Sequence, residues 1–168
     1  MTISMYNASV PIFKQLLSAL NAILIKAERT VSTKITPDTL LHARLFPDMF
    51  DFTRQVQIAT DFAKGITARL AGQEVPVYED NEITFAELQV RITKTLQFIS
   101  SITPEQINGS EDREIITRPG TPKEKKFNGE SYLLHYGLPQ FFFHITTAYA
   151  ILRNQGIEIG KRDYMGNF

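Results

Sequence analysis

Three histidines and no cysteines make up the side chains of this 168-residue chain best suited to holding a metal or moving a proton near neutral pH. The histidines are His42, His135 and His144. His144 lies in "LPQFFFHITTAYAILRNQG", Leu138 to Gly156, a dense apolar run behind Pro139. An imidazole placed there is a metal ligand, a general base in a polar pocket, or a buried histidine bonded to a neighbouring helix. Helical chelation requires a partner three or four residues away. No HxxxH or ExxH pair occurs; Gln140 stands four before His144 and Ala148 four after. His135 and His144 are nine apart, about 900° around a straight helix, and so point to opposite faces. Only a kink at Pro139 would join them, with His42 arriving from the start of a second helix. The three are therefore the candidate metal ligands, and the spacing predicts no metal or other cofactor.

A second polar group lies in "HARLFPDMFDFTRQ". Arg44, Asp48, Asp51 and Gln55 cluster around a helix start, where carboxylates suit the positive end of the helix dipole. They either cap and solvate that start or line a cleft at the end of a helical bundle, meeting His144 or Tyr149 there. Asp61 falls two steps round from the apolar row, solvated or paired with Lys64. No G-x-S-x-G elbow and no glycine-rich phosphate loop occurs. The short basic run "PKEKK" reads as a solvated turn.

Four amphipathic segments position these groups. Val10, Phe13, Leu17, Leu20, Leu24 and Ala27 alternate three and four apart, giving a helix over about residues 4–28, with Pro11 tolerated in its first turn. Met49, Phe52, Val56, Ala59, Ala63, Ile66 and Leu70 give a second, beginning near Pro47 and stopped by Gly72. Thr84 and Glu87 form a capping box for a third, with Phe85, Leu88, Ile92, Leu96 and Ile99 as its stripe. A fourth spans about residues 130–155, kinked or restarted at Pro139 and ended by Gly156. "REIITRPGTPKEKKFNG" between the third and fourth reads as a small hairpin, a candidate lid or dimer contact. The tail after Gly156 is short and irregular. Phe141, Phe142 and Phe143 face most of the way around the fourth helix, so at least one leaves the core.

The fold class is all-α, one four-helix bundle over 1–168 with two long connections. Hydrophobic residues are 43% and charged residues 21% of the chain, the composition of a globular domain. Eighteen basic residues balance 18 acidic ones, so no basic field exists for nucleic acid. The start "MTISMYNASVPIFKQLL" lacks a signal peptide's cationic start and cleavage site. No run offers about 20 uninterrupted apolar residues. The expectation is a cytoplasmic protein with neither a nucleic-acid nor a membrane partner.

"LLHARLFPDMFDFTRQVQIATDFAKGITARLAG", "FAELQVRITKTLQFI" and "LPQFFFHITTAYAILRNQGIEIGKRDYMG" resemble a bacterial and fungal family of unknown function, DUF1993, grouped with the DinB/YfiT-like four-helix proteins. The resemblance covers nearly the whole chain and implies an up-down-down-up bundle. The superfamily includes metal-dependent hydrolases and thiol-dependent transferases. Their usual site takes one histidine from the second helix and an HxxxH pair from the fourth, which this sequence lacks. The family pattern carries over Arg44, Asp48, Gln55, His144, Tyr149 and Arg153 as site candidates: His144, Asp48 and Tyr149 for catalysis, and Arg44, Asp48, Gln55, His144 and Arg153 for ligand binding. Three functions follow as expectations. The first is a small-ligand-binding or metal-independent enzyme-like bundle. The second is a non-catalytic homodimeric interaction module, and the third a divalent-metal-dependent hydrolase or transferase.

Overall fold

The apolar stripes read from the sequence become four long helices in the computed structural model, which describes residues 3–31 and 35–167. Helix α1 (Val10–Thr30) starts later than the stripe alone implies. Residues 5–9 form turns in which Ser9 Oγ bonds back to Met5 O at 2.7 Å. Pro11 sits in the first turn, where a missing N–H costs nothing. A five-residue helix, α2 (Pro37–Leu41), is capped by Thr36. Helix α3 (Phe52–Leu70) starts five residues beyond Pro47, because Asp51, not Asp48, caps it by accepting from Arg54 N–H at 2.9 Å. Gly72 stops it with φ +67°, a conformation that favours glycine. In α4 (Phe85–Ser101), Thr84 accepts from Glu87 N–H at 3.2 Å. The Glu87 carboxylate accepts from Ile83 N–H at 2.7 Å, one residue further back than in the usual capping box.

After the short α5 (Pro104–Ile107) come strands β1 (Ile115–Thr117) and β2 (Lys125–Phe127). They pair antiparallel with Ile116 opposite Lys126, so the expected hairpin is present. The one-turn helix α6 (Gly129–Ser131), a π-helical stretch over Tyr132–Gly137 and α7 (Leu138–Asn154) are continuous. Instead of a break at Pro139, the wider π turn precedes the proline, which lies in the first turn of α7. The tail is not irregular throughout: α8 (Lys161–Met165) packs on α1, with Gln15 Nε2 donating to Met165 O at 2.9 Å.

Contacts fix the helix directions. Phe13 and Phe141, near the starts of α1 and α7, meet ring to ring at 4.8 Å. Phe52 and Phe85 do the same for α3 and α4, at 5.9 Å. Gln89, early in α4, bonds Glu28, late in α1, while Gln55, early in α3, bonds His144 in α7 and Arg69, late in α3, reaches Tyr132 before α7. The order is therefore up-down-down-up, with α3 against α4 and α7, and α1 against α4 and α7. By length and composition α1 could cross a membrane, yet its stripe from Val10 to Ala27 is buried in this core.

A candidate binding cleft between α3, α7 and the hairpin

The site grows from one pair of side chains. Gln55 Nε2 donates to the Phe50 carbonyl at 3.2 Å, which sets the orientation of the amide. Gln55 Oε1 then faces His144 Nδ1 at 2.7 Å. An amide oxygen only accepts, so Nδ1 carries the proton and Nε2 holds the lone pair. Nε2 has no hydrogen-bond partner among the described residues. Burial, with the Arg54 guanidinium as a second cause, pushes the His144 imidazole down to about 4. It is therefore neutral at pH 7. His144 is 7% exposed, sandwiched between Phe62, stacked at 5.9 Å and 15°, and Phe143, edge-on at 5.2 Å.

From His144 a cleft of about 850 Å³ runs between α3 and α7 to the hairpin. Its wall is a row of rings. Phe62 meets Tyr136 at 6.0 Å, and Tyr136 stacks on Tyr132 at 5.9 Å. Its far end is basic: Arg69, Arg118, Lys123 and Lys125 all line it. No carboxylate among the described residues pairs with any of the four. Lys125 Nζ lies 5.4 Å from the Tyr136 ring, and Arg69 Nη1 donates to the Tyr132 hydroxyl at 3.1 Å. Burial raises the Tyr132 pKa despite Arg69, so its phenol stays protonated. Gly65, buried in mid-helix, explains how Arg69 fits: a Cβ on it would stand 2.7 Å from Arg69 Nη1. Glycine costs a helix interior about 1 kcal/mol relative to alanine, and here it makes room for the guanidinium.

The acidic residue of the lining, Asp61, is already neutralised. It pairs with Lys64 at 2.5 Å and with Arg91 at 2.7 Å. Arg91 is buried at 3% exposure and also holds Asp80 at 3.0 Å and Glu82 at 2.9 Å. Burial works against its charge, yet Glu82, Asp61 and Asp80 together raise its pKa. Asp80 also pairs with Arg54. Burial favours its neutral form, but the two guanidiniums outweigh that and hold its carboxyl below the usual range. This network ties the extended segment 73–83 to α3 and α4 and fixes Arg54 beside His144.

The structure brings Gln55 and His144 together and leaves the other sequence candidates elsewhere. Arg44 turns to Met49 O at 2.7 Å and to Asp51. Asp48 is exposed in the loop before α3, because Asp51 takes the cap. Tyr149 packs edge-on against Tyr164 of α8 at 5.7 Å. Arg153, at the end of α7, donates to Ile157 O at 3.4 Å. His42 bonds Asp38 at the end of α2, and His135 is exposed on the π turn. Among the described residues no three His, Cys, Asp or Glu side chains converge as a metal would require. Phe62, Arg69, Tyr132, Tyr136 and the hairpin cations also line the cleft and are not among the candidates drawn from the sequence. A glycine within a strong helix, four before an arginine, was the available signal. Lys123 of "PKEKK" is exposed, as a solvated turn would be, but the fold also places it on the cleft.

DUF1993, a domain of unknown function, matches residues 5–165. The chain belongs to the DUF1993 family. A crystal structure of a DinB family member protein from Shewanella denitrificans is similar over 97% of this chain and 92% of that one, at 39% identity and TM-score 0.90. No curated protein matches the chain. The metal site that the superfamily pattern implies does not fit the residues of this DUF1993 chain. The α3 group facing His144 is Gln55, and the group one turn before His144 is Gln140. Beside His144 these two residues offer amides rather than imidazoles, and Ala148, one turn after it, offers no ligand; soft or borderline divalent metals favour imidazole over amide oxygen.

Proposed function

We propose that the chain is a metal-independent small-molecule-binding bundle whose site is the cleft between α3, α7 and the hairpin. The observation that carries this is the His144–Gln55 pair: one ring nitrogen is fixed by a buried amide, and the other is left as a neutral, partnerless acceptor on a cleft wall. This nitrogen opens onto the cleft, where a ligand O–H or N–H would take the place of water as its donor. The same lone pair is suited to taking a proton from a bound molecule, which is the enzyme-like version of this reading. Metal independence and cytoplasmic operation belong to the same proposal.

Fragment titration followed by amide chemical shifts tests it. Shifts clustering at Phe62, Tyr136 and His144 are expected, and fragments that bind only elsewhere would overturn it. The exposed phenylalanines favour a second reading, a homodimer. Phe141 is buried, whereas Phe143 is 55% exposed, and Phe46 and Phe50 are 63% and 54% exposed. Light scattering that shows a monomer at micromolar concentration would count against it.

A further inference from the structure

The geometry points to a ligand class: a planar ring carrying an oxyanion, that is, an aromatic carboxylate or phosphate ester. This deepens the binding proposal and rests on the same cleft. Formal charge is zero over the whole chain, yet four cations without a carboxylate partner gather at the hairpin end. Unpaired cations on a concave wall attract anions and raise their local concentration. Arg69 is the anchor. It is pre-positioned by the space at Gly65 and by its single bond to Tyr132 OH, so most of its fork remains free to donate. A guanidinium fork matches both carboxylate and phosphate oxygens. A group ordered before binding loses less entropy on binding.

The rings set the other half of the ligand. Phe62 and Tyr136 meet edge to face, and a planar ring can lie against either one. Arg69 stands seven residues beyond Phe62 on α3, but its Nη1 reaches back to Gly65, three residues beyond Phe62 and about 5 Å along the axis. A ring against Phe62 with an anionic substituent directed along α3 spans that length. The end of the ring near Phe62 then comes within reach of His144 Nε2, which accepts only from a donor and cannot itself bind the anion while neutral.

Calorimetric titration of the full chain at pH 7 and low salt, with benzoate, phenyl phosphate, inorganic phosphate and benzamide, tests this. Benzoate or phenyl phosphate is expected to bind about tenfold more tightly than benzamide or inorganic phosphate. Raising the ionic strength should weaken that binding. Which of the two binds better assigns the source of the oxyanion. Arg69→Met should lose about tenfold in affinity for the better probe. Gly65→Ala provides a variant that stays folded: helix propensity favours alanine, so the melting temperature holds or rises while affinity falls. Benzamide binding as tightly as benzoate, or full affinity in both variants, would overturn the ligand class and leave the cleft reading standing. No binding by any of the four probes at about 10 mM would overturn both.

Discussion

Acidification should unfold this protein earlier than its carboxylates alone would. His144 titrates near 4 when folded and near 6.5 when unfolded. A group whose folded pKa is depressed in this way takes up its proton mainly in the unfolded chain between those values. The unfolded state therefore binds more protons there, and stability falls as pH falls from about 6.5 to about 4, then levels off. Between pH 7 and pH 5 the linkage amounts to about 2 kcal/mol. At about 2 kcal/mol per molar, a reasonable urea slope for a chain of this size, the midpoint should move down by about 1 M. The assay is urea unfolding at pH 7, 6 and 5 for the wild type and His144→Gln. Glutamine does not titrate, so the variant's curve should be flatter over this window. The carboxylates with depressed pKa, Asp80, Glu87, Glu105 and Asp163, lose their contributions mainly below pH 5 and act alike in both proteins. Parallel curves for the two proteins, or a His144 midpoint above 6 by NMR, would show that His144 does not set this pH dependence.

Further outcomes follow from other parts of the structure. Arg91→Met leaves Asp61, Asp80 and Glu82 without their shared cation; it should cost about 3 kcal/mol and lower Tm by about 5–10 °C in thermal unfolding. Gly129→Ala should cost about 2 kcal/mol or more by the same measurement, because its Cβ would lie 1.9 Å from Ser110 O, which is backbone and cannot swing away. Exhaustive dialysis against a chelator should leave both Tm and probe binding unchanged, and metal analysis should find no stoichiometric zinc or nickel. A Tm that falls on chelation would revive the metal-dependent reading.

The helices were legible because each has a continuous stripe and its own stop signals. The Thr84 cap and the Gly72 stop are local, and local chemistry decides them. The start of α3 was misplaced because Pro47–Asp48 and Asp51 offer similar signals, and only the Asp51 carboxylate lies within reach of the Arg54 amide. The histidine was legible as a candidate, but its partner Gln55 lies 89 residues away, and no sequence period links them. The cleft's basic end depends on where a 13-residue hairpin with two three-residue strands folds back. That placement is set by the close approach of Gly129 to Ser110 and by the ring cluster of Phe127, Tyr132 and Tyr136. Neither has a periodic signature.

The central claim is that His144 offers a neutral Nε2 to a small molecule in the cleft. Long-range ¹H–¹⁵N spectra of the three imidazoles at pH 7, with and without phenyl phosphate or benzoate, test it most directly. A neutral Nδ1–H tautomer is expected at His144, whose Nε2 resonance moves on titration while that of His42 stays put. A His144 imidazolium, a proton on Nε2, or an Nε2 signal unmoved at saturating ligand would contradict it.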